Sequence, residues 1–300
     1  MTTYIERYRE VRALFVGGDV ASVVGRARVD MEEAYAHLAQ KLPDSHVWKQ
    51  GKMVHARTAA GEVIALASRF GFNDVERQAV AFLLYSHDVG RMVEALRQVQ
   101  GQPRALWHHG RDSVEVIRAA TAVLPGTRPW FDTLLVAVEH HADRTTPSTK
   151  ELGGDRAAWA LMTLLRDLDK RVGFQSAERY TADEAYKVAQ AKANWPERRA
   201  VDPLWGTEMG RIDPPEMVAA FLRGEALERS RCRSYEAYML QYLAWLFDVV
   251  HQEVLDLILA ENGPMIVRDY LTRQLTAACP EEAQQIANTV YSFIQGRMSK

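Results

Sequence analysis

Apolar residues recur along almost the whole chain at intervals of three and four, and nowhere in sustained alternation. Side chains return to one face of an α-helix every 3.6 residues but to one face of a strand every two, so this spacing restricts the chain to helices sharing a core. Residues 73–86, NDVERQAVAFLLYS, carry the pattern clearly: Asn73 or Asp74 can cap the start, and Val75, Ala79, Phe82, Leu83 and Tyr85 or Ser86 follow. A similar run from Arg57 to Phe70 is closed by Gly71, which suits the left-handed position after a helix. Comparable runs cover roughly 4–14, 20–41, 112–123, 130–142, 156–170, 182–192, 215–223, 233–260, 264–276 and 281–297. Breakers separate them: Gly17-Gly18, Pro43-Asp44, Gly101-Gln102-Pro103, Pro125-Gly126, Gly153-Gly154 and Asp213-Pro214-Pro215. No pair of Val/Ile/Thr-rich segments flanks a hairpin turn, so the predicted fold class is all-α.

The expected organisation is N-terminal helices over 1–45, a helical core over 46–175, and a connector with C-terminal helices over 176–300, packing on or beside that core. The stretch 173–213 (GFQSAERY, NWPERRAVDP, WGTEMGRID) is irregular and leaves room for one short helix. A hydrophobic fraction of 47% and a charged fraction of 25% support a full-sized core. The net charge of -2 gives no field that would recruit nucleic acid or an anionic membrane. Cys232 and Cys279 lie outside any metal or disulfide spacing and read as small side chains in a reducing compartment. The first residues, MTTYIERYRE, are charged, and no segment approaches about 18 consecutive apolar residues. The expectation is a cytoplasmic protein off the membrane, compatible with a homo-oligomer.

Chemistry concentrates in the histidines. There are nine, at 37, 46, 55, 87, 108, 109, 140, 141 and 251. A lone histidine on a helix is ordinarily a surface or satisfied core side chain, which accounts for His37, His46 and His251. The others come in company. His55 opens a helix, His87-Asp88 closes the apolar AFLLYSHDVGR, His108-His109 precedes Gly110 at a helix start, and His140-His141 ends LLVAVEHH. Asp167 and Asp169 sit in LLRDLDKR. Burying imidazoles and carboxylates beside such apolar segments costs several kcal/mol unless something compensates. A metal ion is the economical compensation. Consecutive residues on a helix point about 100° apart, so His87 and Asp88 can both reach an ion off the helix end.

These residues resemble the HD superfamily of metal-dependent phosphohydrolases, whose signature of H…HD…D is spread over helices. The matches are His55 in VHARTAAGEVIALA, His87-Asp88 in AFLLYSHDVGR and a late Asp in LLRDLDKR, across roughly 50–175. The resemblance implies an HD-domain helical bundle with additional C-terminal helices, and a catalytic centre at His87 and Asp88. His55, His87, Asp88 and Asp167 would hold one metal; Asp167 is preferred to Asp169, which lies about 200° around the same helix. His109, in HGRDSV, would serve a second metal with His140 and His141, and Asp88 would bridge the two. His108 would be a neighbour. After the double histidine the chain reads Ala142-Asp143-Arg144-Thr145-Thr146-Pro147 in place of the DGxGYP loop of cyclic-dinucleotide enzymes. HDVGRM likewise departs from the HDxxED of guanosine-tetraphosphate hydrolases.

Mixed imidazole and carboxylate ligands suit Fe, Mn, Ni, Co or Zn, one or two per chain, better than Mg. Arg91, one turn beyond Asp88, is the first candidate for binding a substrate phosphate; Arg111, Arg144, Lys170 and Arg171 are weaker ones. The expected activity is hydrolysis of a phosphorylated small molecule, a nucleotide or nucleotide-like compound. Two alternatives use the same ligands: an HD-type di-iron oxygenase acting on a small organic substrate, and a non-catalytic HD signalling module.

Overall fold

The computed structural model describes residues 8–300 apart from 17–18, 45, 47, 67–68, 103–107, 123–128, 144, 195–205 and 299–300. Arg144, Gly17-Gly18, Pro103, Pro125-Gly126 and most of NWPERRAVDP therefore lie outside the described residues. The fold is all-α, with no strand among the described residues. No described helix is long and apolar enough to cross a membrane.

Two compact units divide the chain, residues 1–172 and 173–300. The first contains α1 (Arg9–Leu14), α2 (Val20–Gln40), α3 (Trp48–Leu66), α4 (Asp74–Ser86), α5 (Gly90–Val99), α6 (His109–Ala120), α7 (Pro129–His140) and most of α8 (Arg156–Gln175). Its centre is α4, which packs on α2, α3 and α7. Residues Ala79 to Ser86 of α4 are all buried, as its unbroken apolar run requires. The helix starts where sequence allowed, with Asn73 as the cap. The Asn73 side chain accepts from the Val75 and Glu76 amides at 2.9 Å, and the Glu76 carboxylate accepts from the Asn73 amide at 2.8 Å. Gly71 takes the left-handed conformation (φ 65°), and its carbonyl accepts from Arg12 at 2.7 Å.

Three elements differ from the sequence reading. The helix carrying His55 begins at Trp48, so His55 lies in mid-helix. The helix α5 was not anticipated, because Gly90 interrupts the pattern directly after the HD pair and RMVEALRQV has a largely polar face. A third run, 233–260, divides into α12 (Tyr235–Leu243), a 3₁₀ turn (Ala244–Asp248) and α13 (Gln252–Ala260).

The second unit adds α9 (Ala177–Ala182), α10 (Glu184–Asn194), α11 (Glu216–Leu222), α14 (Gly263–Leu275) and α15 (Pro280–Met298). Within it α14 packs on α9, α12, α13 and α15. Buried rings of Tyr235, Tyr238, Tyr242, Tyr270, Phe174 and Phe221 fill its core.

Helices α5, α6 and α7 approach closely through two glycines. A Cβ on Gly90 would lie 2.1 Å from the His109 carbonyl oxygen, and one on Gly110 would lie 2.1 Å from the Glu139 carbonyl oxygen. Gly61, exposed in the middle of α3, has nothing within 4 Å of its Cβ position. Gly90→Ala and Gly110→Ala should therefore each lose about 1–3 kcal/mol from overpacking against backbone, whereas Gly61→Ala should gain up to about 1 kcal/mol of helix propensity. Thermal unfolding of the three variants checks this: two melting temperatures below wild type and one above.

Candidate metal centre

Helix ends converge on one place. α4 ends at His87-Asp88, α5 starts just beyond, α6 begins at His109, and α7 ends before His141. His55 and Asp169 arrive from the middles of α3 and α8. The turn carrying His87 and Asp88 is clamped onto α6 by the fully buried Ser113. Its hydroxyl donates to the His87 carbonyl at 2.5 Å and accepts from the Gly90 amide at 2.8 Å. On the far side, Arg166 Nη1 donates to the carbonyls of His141 (2.8 Å) and Asp143 (2.7 Å), fixing the turn after α7 to α8.

The side chains form two groups whose donor atoms lie within 4.8 Å of one another: His55, His87, Asp88 and Asp169, and Asp88, His109 and His141. Asp88 belongs to both and divides its oxygens between them. Its Oδ2 lies 3.9 Å from Nε2 of both His55 and His87; its Oδ1 lies 3.7 Å from His109 Nε2 and 3.9 Å from His141 Nε2. Asp169 Oδ1 completes the first group at 2.8 Å from His55 Nε2 and 3.4 Å from His87 Nε2. Ligands about 2.1 Å from a common ion stand about 3–4 Å apart, so all but the 2.8 Å His55–Asp169 contact, a direct hydrogen bond, match the spacing a metal site needs.

The tautomers agree. Nδ1 of His87 faces the Leu84 carbonyl at 2.7 Å, and Nδ1 of His141 faces the Val138 carbonyl at 2.5 Å. A carbonyl only accepts, so both protons sit on Nδ1 and both Nε2 lone pairs point into the groups. Both Nε2 atoms are buried without a hydrogen-bond partner. A buried acceptor left unmade costs free energy, and a metal ion is the partner this orientation suits. The donor set could hold a metal ion.

The charges point the same way. Burial would raise the Asp88 carboxyl, but Lys52, His87 and their neighbours outweigh it and hold it well below the usual carboxylate range. Burial would raise Asp169 as well, but the bond from His55 and the adjacent His87 imidazole hold it well below that range. Burial first, then Arg91, keeps His109 well below the ordinary imidazole value, and burial lowers His141. His87 differs: burial would lower it, but the Asp88 and Asp169 carboxylates raise it. Ionised carboxylates and neutral imidazoles at His109 and His141 are the forms that bind metal.

The predicted residues thus separate. The structure brings together His55, His87, Asp88, His109 and His141. Asp169, the second choice, takes the place preferred for Asp167. Asp167 is wholly buried on another face of α8, 3.6 Å from Lys170, because two residues along a helix rotate the side chain about 200°. His140 is not in either group; its Nδ1 bonds Asp143 at 2.8 Å. Arg91 lies 3.8 Å from Asp88 but gives Nη1 to Glu94 at 2.9 Å. Arg111 is exposed beside Glu139 at 3.3 Å, and Arg171 pairs with Glu62.

Sequence reading missed Lys52, whose ammonium pairs with Asp88 Oδ2, together with Glu94 and Arg166. The signal for Lys52 was its place three residues before His55, one turn along the same face. Glu94 stands likewise three beyond Arg91. Arg166 gave none, since it acts on backbone carbonyls 23 and 25 residues away.

Compared with protein-family models, curated proteins and solved structures, the chain matches none. The His/Asp cluster alone is compatible with an HD-like metal site.

Asp169→Asn should weaken metal binding by more than the roughly 10–100-fold typical of losing an outer partner, and should lose the rise in melting temperature on adding Mn, Co or Ni. Folded Asp167→Asn should keep its metal. Elemental analysis and thermal shift on both variants measure this.

Proposed function

We propose that this chain is a metal-dependent phosphohydrolase of the HD superfamily, cleaving a phosphate ester of a nucleotide or nucleotide-like compound. The observation that carries the reading is the division of the Asp88 carboxylate, one oxygen toward each His/Asp group. A metal bound at the two groups would supply a water acidic enough to ionise near neutral pH and positive charge to offset the negative charge on the phosphoryl oxygens. His55, His87 and Asp169 would hold metal on one side of Asp88, and His109 and His141 on the other. Lys52 and Arg91 add positive charge beside the shared carboxylate, where a phosphate dianion would be received. Ser113 and Arg166 set the positions of His87 and His141 through their carbonyls.

A second reading has its own support. The two groups together contain four histidines and two aspartates, the ligand set of the di-iron oxygenases that the HD pattern also resembles. Such an enzyme would need ferrous iron and would consume oxygen with a small organic substrate.

Phosphate release from a chromogenic monoester, a diester and a nucleotide panel, measured with Mn, Co or Ni in air and under nitrogen, separates the two. The hydrolase should work equally in both atmospheres. Asp88→Ala should reduce turnover to background, and His37→Ala, remote from both groups, should leave it unchanged. Substrate-dependent oxygen uptake by the iron-loaded protein, without turnover of any phosphate compound, contradicts the proposal in favour of the oxygenase.

A further inference from the structure

Beside the second group lies a cavity of about 460 Å³, lined by His108, His109, His140, Asp143, Thr145 and Glu151 among others. Its size is that of a small-molecule site, within roughly 300–1,000 Å³. One wall is a fixed polar assembly. Asp143 Oδ1 is 3.2 Å from His108 Nε2, and Oδ2 is 2.8 Å from His140 Nδ1. The Arg111 amide donates to His108 Nδ1 at 3.2 Å, so the His108 proton is on Nε2 and both its nitrogens are engaged. His140 donates from Nδ1, which leaves its Nε2 as an acceptor. Across the opening, Glu151 Oε2 accepts from the Ser148 amide (2.6 Å) and hydroxyl (2.7 Å), leaving Oε1 as a charged acceptor. The Thr145 hydroxyl both donates and accepts.

The open polar atoms on this cavity are thus mostly acceptors, and the lining carries two carboxylates, Asp143 and Glu151. Acceptors recognise hydroxyl groups, and carboxylates repel a second phosphate. The geometry points to a substrate that is a phosphomonoester of a hydroxyl-rich alcohol, with the phosphate at the metal groups and a sugar-like alcohol in the cavity against His140, Thr145 and Glu151. A nucleoside triphosphate or cyclic dinucleotide would place further phosphates against Asp143 and Glu151. The ester half of this inference rests on the hydrolase reading; the alcohol half rests on the cavity alone.

Binding of free ribose and glucose to the Mn-loaded full chain, by saturation-transfer NMR with 1-butanol as control, tests the cavity without any turnover. The second readout is the ratio of kcat/KM for ribose 5-phosphate to that for butyl phosphate. Thr145→Val removes the hydroxyl; Glu151→Gln lets the amide carbonyl take the Ser148 bonds and turns an NH₂ donor toward the cavity. Each should weaken ribose binding and lower the ratio by about tenfold, the worth of one hydrogen bond near 1.4 kcal/mol. Ribose binding lost in the variants upholds the cavity assignment even if no ester is cleaved, a failure that would fall on the hydrolase reading alone. Ester cleavage with no ribose binding, a ratio near one, or a preference for ATP over ribose 5-phosphate overturns the inference and leaves the hydrolase reading intact.

Discussion

A single carboxylate organises the centre of this protein. Asp88 is buried beside four imidazoles, and its two oxygens face different partners. An ionised carboxylate withdrawn from water costs several kcal/mol unless cations and donors replace its hydration. Lys52 and Arg91 offset that cost in the protein itself, which is why the carboxyl stays ionised. The Nε2 atoms of His87 and His141 are a different matter: both are buried lone pairs that no protein hydrogen bond answers. Both facts follow from one arrangement, the His/Asp cluster gathered around Asp88.

The fold holds that shell by its helix ends. Ser113 joins the HD turn to the start of α6, Gly90 and Gly110 let backbones approach where any Cβ would collide, and Arg166 ties the turn after α7 to α8. The string HGRDS therefore has a physical meaning residue by residue: a donor at His109, close approach at Gly110, and a clamp at Ser113. Positioning through backbone carbonyls makes the geometry depend on main-chain packing, which is stiffer than side-chain contact alone.

The helical periodicity made the all-α fold legible, because apolar faces at 3.6-residue spacing leave few alternatives. The HD and HH pairs on apolar helix ends likewise marked four of the six residues the structure gathers, and the lone His55 upstream was a fifth. Asp169 against Asp167 turned on the rotation of α8, which spacing alone leaves undetermined until the partner helix is known. His140 looked equivalent to His141, but at the end of a helix one residue changes direction by about 100°, and Asp143 captures His140 instead. Helix α5 was hidden by Gly90, the glycine that close packing against His109 demands. Arg166 acts on carbonyls 23 and 25 residues away, where no local pattern reports it, and Lys52 is signalled only by its place one turn before His55.

The most direct test is anomalous diffraction from crystals of the protein loaded with Mn or Co. The account predicts two ions, one on each side of Asp88, the first within bonding distance of His55, His87 and Asp169 and the second of His109 and His141. Ions bound instead at Asp167 or His140, or no ion beside Asp88 in well-ordered, metal-soaked crystals, would contradict it.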